Sequence, residues 1–234
     1  MRPRANGQDG GVTTSTATRV TLFDLDGTLT DSAPGIVAGF RHALATVGVA
    51  VPEGDLQGRV VGPPMIDTLR SLGLDEAAAQ TALGAYFDRY DDIGWAENAV
   101  FDGIEEMLTG LADGGARLAV ATSKSERFAH RILEHFSLAQ HFEVIAGASD
   151  GGTGRRAKVD VIEHALRGLG IEPTAGGTAG VVMVGDREHD VHGAAHWGIP
   201  TVFVDWGYGT DREAADARWR VETVDQLGRV LDEH

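Results

Sequence analysis

One short segment near the start of the chain constrains the fold more than any other. An apolar run that begins at Val20 ends in two carboxylates one residue apart, Asp24 and Asp26, followed directly by Gly27 and Thr28. Such a run is typical of a buried strand in a parallel sheet. Open α/β sheets bind ligands at the carboxyl ends of their strands, which is where both acids are expected. Because alternate residues of a strand share a face, the two side chains start out pointing the same way, and they need a cation or a proton to neutralise them.

Further apolar runs alternate with helical patterns along the rest of the chain. Strands are predicted at 117–121, 142–145, 181–184 and 201–204, with helices at about 125–136 and 159–169. Strands that alternate with helices predict an α/β fold with a doubly wound parallel sheet, the Rossmann-like arrangement.

The interval between the first two predicted strands is entirely helical. Apolar residues recur there at three- and four-residue steps, and no convincing strand lies between Asp31 and Val100. Because a crossover between parallel strands needs only one helix, the excess predicts an inserted α-helical cap domain over the site. The predicted organisation is a disordered polar tail (1–18), a catalytic core (19–33 and 100–234) and a helical cap (34–99).

Composition narrows the classes of function. The formal charge of −15 argues against nucleic acid or an anionic membrane as the main partner. The absence of cysteine excludes disulfides and thiolate metal sites, and it is compatible with the predicted cytoplasmic location. No apolar run reaches the roughly 18 residues of a membrane span, and the first residues lack the apolar centre of a signal peptide.

The second strand ends in hydroxyl groups, at Thr122 and Ser123. A phosphoryl group needs donors for its oxygens, and hydroxyls with backbone N–H groups at a strand end can supply them. The alternative is a helix N-cap at Ser123 or Ser125, with Glu126 nearby, and on this motif alone capping is favoured.

A lysine, Lys158, opens the helix that follows the third strand. A fixed cation there can offset charge on a nucleophilic carboxylate and on a phosphoryl group. Arg155 and Arg156 compete for that role, and a solvated lysine is the alternative.

The fourth strand also ends in acids. Gly185 permits a tight exit, and Asp186 and Asp190 are four residues apart, which puts them together on one helical turn. Mg²⁺ prefers a few carboxylates, waters and substrate phosphate, so these acids predict a magnesium site with Asp24 and Asp26. The alternatives are an ordinary acidic helix N-terminus, and a position for Asp190 behind the ligands.

The four motifs, in this order, resemble the haloacid dehalogenase-like (HAD) superfamily from Arg19 to the end of the chain. The helical insert is similar to the cap of the phosphoglycolate phosphatase-like branch. The resemblance implies a phosphoric monoester hydrolase in which the first aspartate attacks phosphorus and the second is the general acid/base. It implies a catalytic set of Asp24, Asp26, Thr122 and Lys158, and Mg²⁺ held by Asp24, Asp26, Asp186 and Asp190.

The resemblance also implies that the cap helps to choose the substrate. The predicted substrate contacts are Gly27, Thr28 and Ser123 in the core and Arg59, Gly62 and Pro63 in the insert. A plain rigid turn is an equal interpretation of the insert loop, because its glycine and prolines fix the backbone. The predicted substrate is a small phosphate monoester of the phosphoglycolate, nucleotide or sugar phosphate type. The alternatives are a phosphomutase, a protein-tyrosine phosphotransfer enzyme and a catalytically silent binding protein.

Three histidines, His189, His192 and His196, have spacings that put them near one helical face. Such a face can suit a transition metal. Their neighbours are acids and small residues, so surface or packing roles are favoured, although His189 could tune Asp186.

Overall fold

The computed structural model describes residues 19–149 and 154–233, so the predicted disordered tail (1–18) lies outside the described residues. The strands are β1 (Val20–Phe23), β2 (Thr30–Asp31), β3 (Ala99–Val100), β4 (Arg117–Ser125), β5 (Val144–Ala148), β6 (Val181–Gly185), β7 (Thr201–Val204) and β8 (Trp219–Val221). Six of them form one sheet in the order β5-β4-β1-β6-β7-β8, and every neighbouring pair is parallel. The predicted α/β fold with a doubly wound parallel sheet is confirmed.

Helices connect the strands, and those that follow β3 cover the sheet. They are α1 (Ala33–Thr46), α2 (Leu56–Val60), α3 (Met65–Ser71), α4 (Glu76–Arg89), α5 (Ile104–Asp113), α6 (Glu126–His135), α7 (Lys158–Gly168), α8 (Glu188–His196) and α9 (Val224–Glu233). A π-helical turn (Tyr90–Gly94) follows α4, and a 3₁₀ turn (Ala139–His141) follows α6. None of the described helices is both long and apolar enough to cross a membrane.

The side-chain alternation of β1 assigns its residues to two different layers. Phe23 packs with residues of α5, α6 and α9 on one face of the sheet. Val20 and Leu22 pack with residues of α7 and α8 on the other. Asp24 continues the second series, so the period of two directs it toward the helices that begin with Lys158 and carry Asp190.

Between β2 and β3 the chain folds as α1 to α4 and the π-helical turn, which share an apolar cluster of their own. The cluster includes Phe40, Leu69 and Tyr86, and it also takes in Phe128 from α6 of the sheet layer. At the base of these helices β2 and β3 pair as an antiparallel ribbon. We call residues 34–99 the helical insert; its role as a cap, and the predicted division into two domains, stay predictions.

Three features differ from what the sequence predicts. The ribbon β2–β3 is not predicted, and neither are β8 and α9 at the end of the chain. In addition, β4 continues to Ser125, where a helix was expected to begin, with an irregular register against β5 after Ala121.

Candidate active site

Three of the predicted motifs meet at one edge of the sheet. Strand β1 pairs with β4 on one side and with β6 on the other. Asp24 follows β1, Thr122 lies near the carboxyl end of β4, and Asp186 follows β6. The chain leaves β1 for β4 and later returns to β6, so this edge is the switch point of the topology, where α/β sheets bind their ligands.

A buried lysine links two of the acids. The Nζ atom of Lys158 lies 2.9 Å from Oδ1 of Asp24 and 2.6 Å from Oδ1 of Asp190, and it donates to the carbonyl oxygen of Ala121 at 2.9 Å. All three charged side chains are nearly inaccessible to solvent. The Lys158 ammonium therefore combines two buried ion pairs with one hydrogen bond to a backbone carbonyl.

The charged groups of this cluster change one another's pKa. Burial opposes ionisation of Asp24, but the Lys158 ammonium, with smaller contributions from His189 and Thr122, outweighs it and lowers the pKa of Asp24. Burial likewise opposes the charge on Lys158, and Asp190 and Asp24 together raise the pKa of Lys158. Asp24 is therefore an unprotonated carboxylate over the physiological range, as a nucleophile must be.

The electrostatic environment of Asp186 differs from that of Asp24. It is fully buried, and its carboxylate accepts hydrogen bonds from the backbone N–H of Tyr208 at 2.7 Å and from the Thr28 hydroxyl at 3.4 Å. Burial, followed by the charges of Asp190 and Asp24, raises the pKa of Asp186 well above its usual range. No ion pair within the described part of the chain neutralises it.

The residues present fit a hard divalent cation. Asp186 is a buried carboxylate close to two other acids and has no cation of its own, which is the situation that Mg²⁺ or a similar ion relieves. The backbone also comes close to it, since a Cβ at Gly27 would lie 2.3 Å from Oδ2 of Asp186. Gly27, at φ +84°, therefore allows the Asp26–Gly27 turn to approach Asp186.

A second acid-rich group overlaps the predicted metal ligands. Ligand atoms of Asp24, His189 and Asp190 all lie within 4.8 Å of one another. The Lys158 ammonium, however, already contacts both acids of this group. The other oxygen of Asp190 accepts from the backbone N–H of Arg187 at 3.0 Å, so both oxygens of Asp190 are engaged. This geometry favours the alternative in which Asp190 holds Lys158 in place, and direct ligation by Asp190 stays a prediction.

Asp26 is paired with a lysine that sequence reasoning missed. Nζ of Lys124 donates to Oδ2 of Asp26 at 2.6 Å, and the lysine side chain is only 8% exposed. Burial disfavours the ammonium, but the attraction of Asp26 raises the pKa of Lys124. The other oxygen of Asp26 is buried and has no hydrogen-bond partner among the described residues.

A cleft of about 1430 Å³ opens between the sheet edge and the helical insert. Asp24, Asp26, Thr122, Ser123 and Lys158 line its floor. These are the predicted catalytic residues together with one predicted substrate contact, and the fold brings them to one surface.

The insert forms the opposite wall. Gly62 and Pro63, which the sequence predicts as substrate contacts, both line the cleft. The neighbouring carbonyl oxygen of Val61 accepts a hydrogen bond from Nη1 of Arg187 at 2.8 Å. Arg187 also pairs with Glu213 at 2.7 Å, so one side chain of the sheet layer holds the insert loop.

Three predicted substrate contacts do not reach the cleft surface. Arg59 is exposed on α2 and is not among the cleft-lining residues. Gly27 and Thr28 are buried in the turn after β1, where Gly27 hydrogen-bonds the Thr30 carbonyl and Thr28 contacts Asp186. They shape the loop under the site, because their short side chains let the turn close.

The other residues singled out in the sequence also divide into those that lie at the cleft and those that do not. Arg155 pairs with Glu126 at 2.6 Å and so does not compete with Lys158 for Asp24. His192 is exposed beside Asp216, and His196 packs on Trp197. Only His189 of the three histidines lines the cleft.

Sequence reasoning also missed Tyr208, which lies in the loop after β7. Its hydroxyl donates to Asp31 at 2.8 Å, while its backbone N–H binds Asp186. It thereby connects Asp186, at the carboxyl end of β6, to the base of the helical insert. No sequence pattern marks this residue, whereas Lys124 stood within two residues of a recognised motif.

A parallel sheet with paired acids, a buried lysine and hydroxyls at its switch point, covered by a helical insert, defines a class of phosphate-ester hydrolases. Residues 21–204 match the family model described as haloacid dehalogenase-like hydrolase. The chain belongs to this family and is a phosphoric monoester hydrolase, which confirms the resemblance seen in the sequence.

Similar proteins carry different names. The chain is 53% identical to the tyrosine-protein kinase PtkA of Mycobacterium tuberculosis, over 91% of this chain and 72% of the relative. It is 39% identical to a 5′-nucleotidase of Pseudomonas aeruginosa, over 91% of this chain and 95% of the relative. The crystal structure of a predicted phosphatase from Clostridium acetobutylicum has a TM-score of 0.82 and 39% identity, over 93% of this chain and 99% of that chain.

Proposed function

We propose that the protein is a Mg²⁺-dependent phosphatase of a small phosphate monoester, which works through a phosphorylated Asp24. The observation that carries the proposal is the ion pair of Asp24 with Lys158 on the floor of the cleft, at the carboxyl end of the central strand. This pair keeps the nucleophile ionised although its side chain is buried. The covalent intermediate divides a difficult hydrolysis into two easier displacements.

Each step uses a residue of the floor. Asp24 attacks phosphorus while Asp26 gives a proton to the leaving oxygen, and Asp26 then takes a proton from the water that cleaves the aspartyl-phosphate. Thr122 and Ser123 donate to the phosphoryl oxygens. Because the Lys158 ammonium already contacts three protein oxygens, its contribution is a fixed positive charge beside the reacting centre, held in place by Asp190.

Asp24, Asp186 and the carbonyl of Asp26 would hold the metal ion. When bound, Mg²⁺ offsets the charge repulsion between the phosphate dianion and the attacking carboxylate. The support is the donor set, which consists of hard oxygens around a buried acid that lacks a cation.

The residues of the insert that line the cleft indicate which kind of leaving group fits. Ile66, Leu83 and Phe87 line the cleft, and Phe87 is 49% exposed although it is a large apolar residue. Two basic residues of the same cleft are already paired, Arg127 with Asp91 and Arg187 with Glu213. An uncharged leaving group with an apolar or ring-shaped face fits such a wall better than a short carboxylate, so nucleotide-type esters are favoured over phosphoglycolate.

A second candidate is phosphotransfer on protein tyrosine. It is favoured by the 53% identity to a relative named tyrosine-protein kinase, and a cleft of about 1430 Å³ has room for a tyrosine ring. A phosphomutase is the third alternative, since it differs only in whether the aspartyl-phosphate passes to water or to a sugar.

The proposal also includes two further expectations: that the protein has no nucleic-acid or membrane partner, and that it is cytoplasmic. They rest on the charge of −15 and on the lack of cysteine.

The test is phosphate release from phosphoglycolate, nucleoside monophosphates, sugar phosphates and a phosphotyrosine peptide, with Mg²⁺ and with EDTA. We expect turnover of one small-molecule class in Mg²⁺ only, and its loss in Asp24→Asn. Asp88→Asn removes an exposed carboxylate of the same cleft and serves as the matched control. Turnover that persists in Asp24→Asn or in EDTA would contradict the proposal, and phosphate release from the phosphotyrosine peptide alone would favour the protein-tyrosine alternative.

A further inference from the structure

Lys124 occupies a position between the sheet layer and the helical insert. It lies at the end of β4 with its Nζ atom 2.6 Å from Oδ2 of Asp26. The same Nζ atom lies 5.0 Å from the centre of the Tyr90 ring, in the π-helical turn of the insert. One ammonium therefore contacts the proposed general acid/base on one side and an aromatic ring of the insert on the other.

The aromatic ring is itself fixed in place. Tyr90 is 3% exposed, stacks on Tyr86 of α4 at 5.7 Å and meets the Phe128 ring of α6 edge-on at 4.9 Å. A ring held by both the insert and the sheet layer gives the lysine a defined electrostatic partner in addition to the carboxylate. Because the lysine stem is buried too, the ammonium has few alternative positions.

We propose that Lys124 is a positioning residue that fixes the carboxyl group of Asp26 for proton transfer, and that Tyr90 makes this placement depend on the docked insert. The inference rests on the proposed function, in which Asp26 protonates the leaving oxygen. Proton transfer is effective only when the acid lies within hydrogen-bond reach of that oxygen. A carboxyl group whose Oδ2 is held by Lys124 has lost the rotation that would carry it away.

The leaving group provides the readout. An alkoxide leaves poorly without a proton, whereas p-nitrophenolate leaves readily without one. A displaced acid therefore slows the hydrolysis of an alkyl phosphate much more than that of p-nitrophenyl phosphate. A merely structural role for Lys124 would lower both rates alike.

The experiment compares kcat/KM for an alkyl monoester with kcat/KM for p-nitrophenyl phosphate, both in Mg²⁺. For each substrate, kcat/KM reports formation of the aspartyl-phosphate. For Lys124→Met we expect a loss of about 10²-fold on the alkyl ester, in line with the usual contribution of a general acid, and a several-fold loss at most on the aryl ester. Lys124→Arg, which keeps the charge, should recover part of the alkyl activity.

Arg131→Met is the matched control. Arg131 also stacks on an aromatic ring of the insert, 4.1 Å from the centre of Trp95, and pairs with Asp91, but it has no contact with Asp26. We expect it to change both substrates by the same factor. Tyr90→Leu carries the test if Lys124→Met does not fold, and it should lower the alkyl rate more than the aryl rate.

Equal losses on the two substrates in Lys124→Met, or in Tyr90→Leu where the first variant does not fold, would overturn the inference while leaving the Asp24 scheme in place. Turnover of both esters that survives Asp24→Asn would overturn the proposed function and this inference together.

Discussion

Lys158 is the residue on which the charge balance of the site depends. It is the partner of two buried carboxylates, at 2.9 and 2.6 Å, and has almost no contact with solvent. We expect Lys158→Met to lower the free energy of unfolding by about 3–5 kcal/mol, because it leaves Asp24 and Asp190 buried without their cation. Urea unfolding at pH 7 in EDTA measures the loss.

The double variant Lys158→Met/Asp190→Asn is the control for this interpretation. Removal of one orphaned charge should make it more stable than Lys158→Met alone. If the losses of the two single variants simply added, the ion pairs would not be the cause.

Most of the site residues that sequence reasoning found lie at the ends of apolar strands. Asp24 and Asp186 end buried runs, and the sheet topology brings their strand ends together without further information. Lys124 and Tyr208 could not be found in this way. Their roles depend on an irregular strand end and on a loop, and the contacts with Asp26 and Asp186 exist only in the folded chain.

At the scale of elements, the loop that precedes α3 is fitted to Arg187. Gly62 has φ +106°, and a Cβ there would lie 2.0 Å from Nη1 of Arg187, whose hydrogen bond to Val61 would be displaced. We expect Gly62→Ala to lower kcat/KM several-fold, because the insert no longer docks on the sheet layer in the same position. Steady-state kinetics on the substrate identified by the panel test this.

Gly73→Ala is the matched control for the insert loop. Gly73 also has a positive φ, +82°, but a Cβ there meets no atom within 4 Å. Both substitutions place a Cβ on backbone with a positive φ, which costs roughly 1–2 kcal/mol, so the contact with Arg187 is the main difference between them. Equal effects of the two on kcat/KM would show that the docking contact is unimportant.

The central elements of the sheet layer were predictable, whereas the ribbon β2–β3, the edge strand β8 and the terminal helix α9 were not. Apolar runs and helical spacing mark β1, β6 and α7, since each buries a face against a neighbour. The ribbon of β2 and β3 has two residues on each side, and it forms because the insert begins and ends there. The edge strand β8 pairs on one side only and has an exposed residue, Arg220, at its centre, so its sequence lacks the apolar run of a central strand.

At the scale of the whole molecule, the sheet layer and the helical insert are joined at several separate points. The ribbon connects their backbones, Arg187 holds the insert loop, and Tyr90 packs against Phe128. Within the insert itself, Arg89 and Glu97 form a bidentate ion pair, at 2.7 and 2.8 Å. The position of the insert on the sheet layer is therefore set by several contacts at once.

The stability of the whole molecule should depend on pH through Asp186. Burial, Asp190 and Asp24 raise the pKa of Asp186 in the folded state, so above about pH 4 the folded chain binds more protons there than the unfolded chain does. The contribution of Asp186 to the free energy of unfolding therefore falls as pH rises from about 4 toward its folded pKa. Asp24 has a lowered pKa, and its contribution has the opposite sign.

A bound cation should turn the destabilising charge of Asp186 into a stabilising one. We expect Asp186→Asn to unfold at a higher temperature than the wild type in EDTA at pH 7, because the variant has no buried charge to accommodate. In Mg²⁺ at about 100 times its dissociation constant the wild type should gain about 2.7 kcal/mol, and the variant much less. Asp225→Asn, at an exposed acid in the first turn of α9, should behave as the wild type in both conditions. Thermal unfolding followed by circular dichroism decides the matter, and an Asp186→Asn variant that is less stable in EDTA yet gains as much from Mg²⁺ would contradict both the strained acid and its place in the metal site.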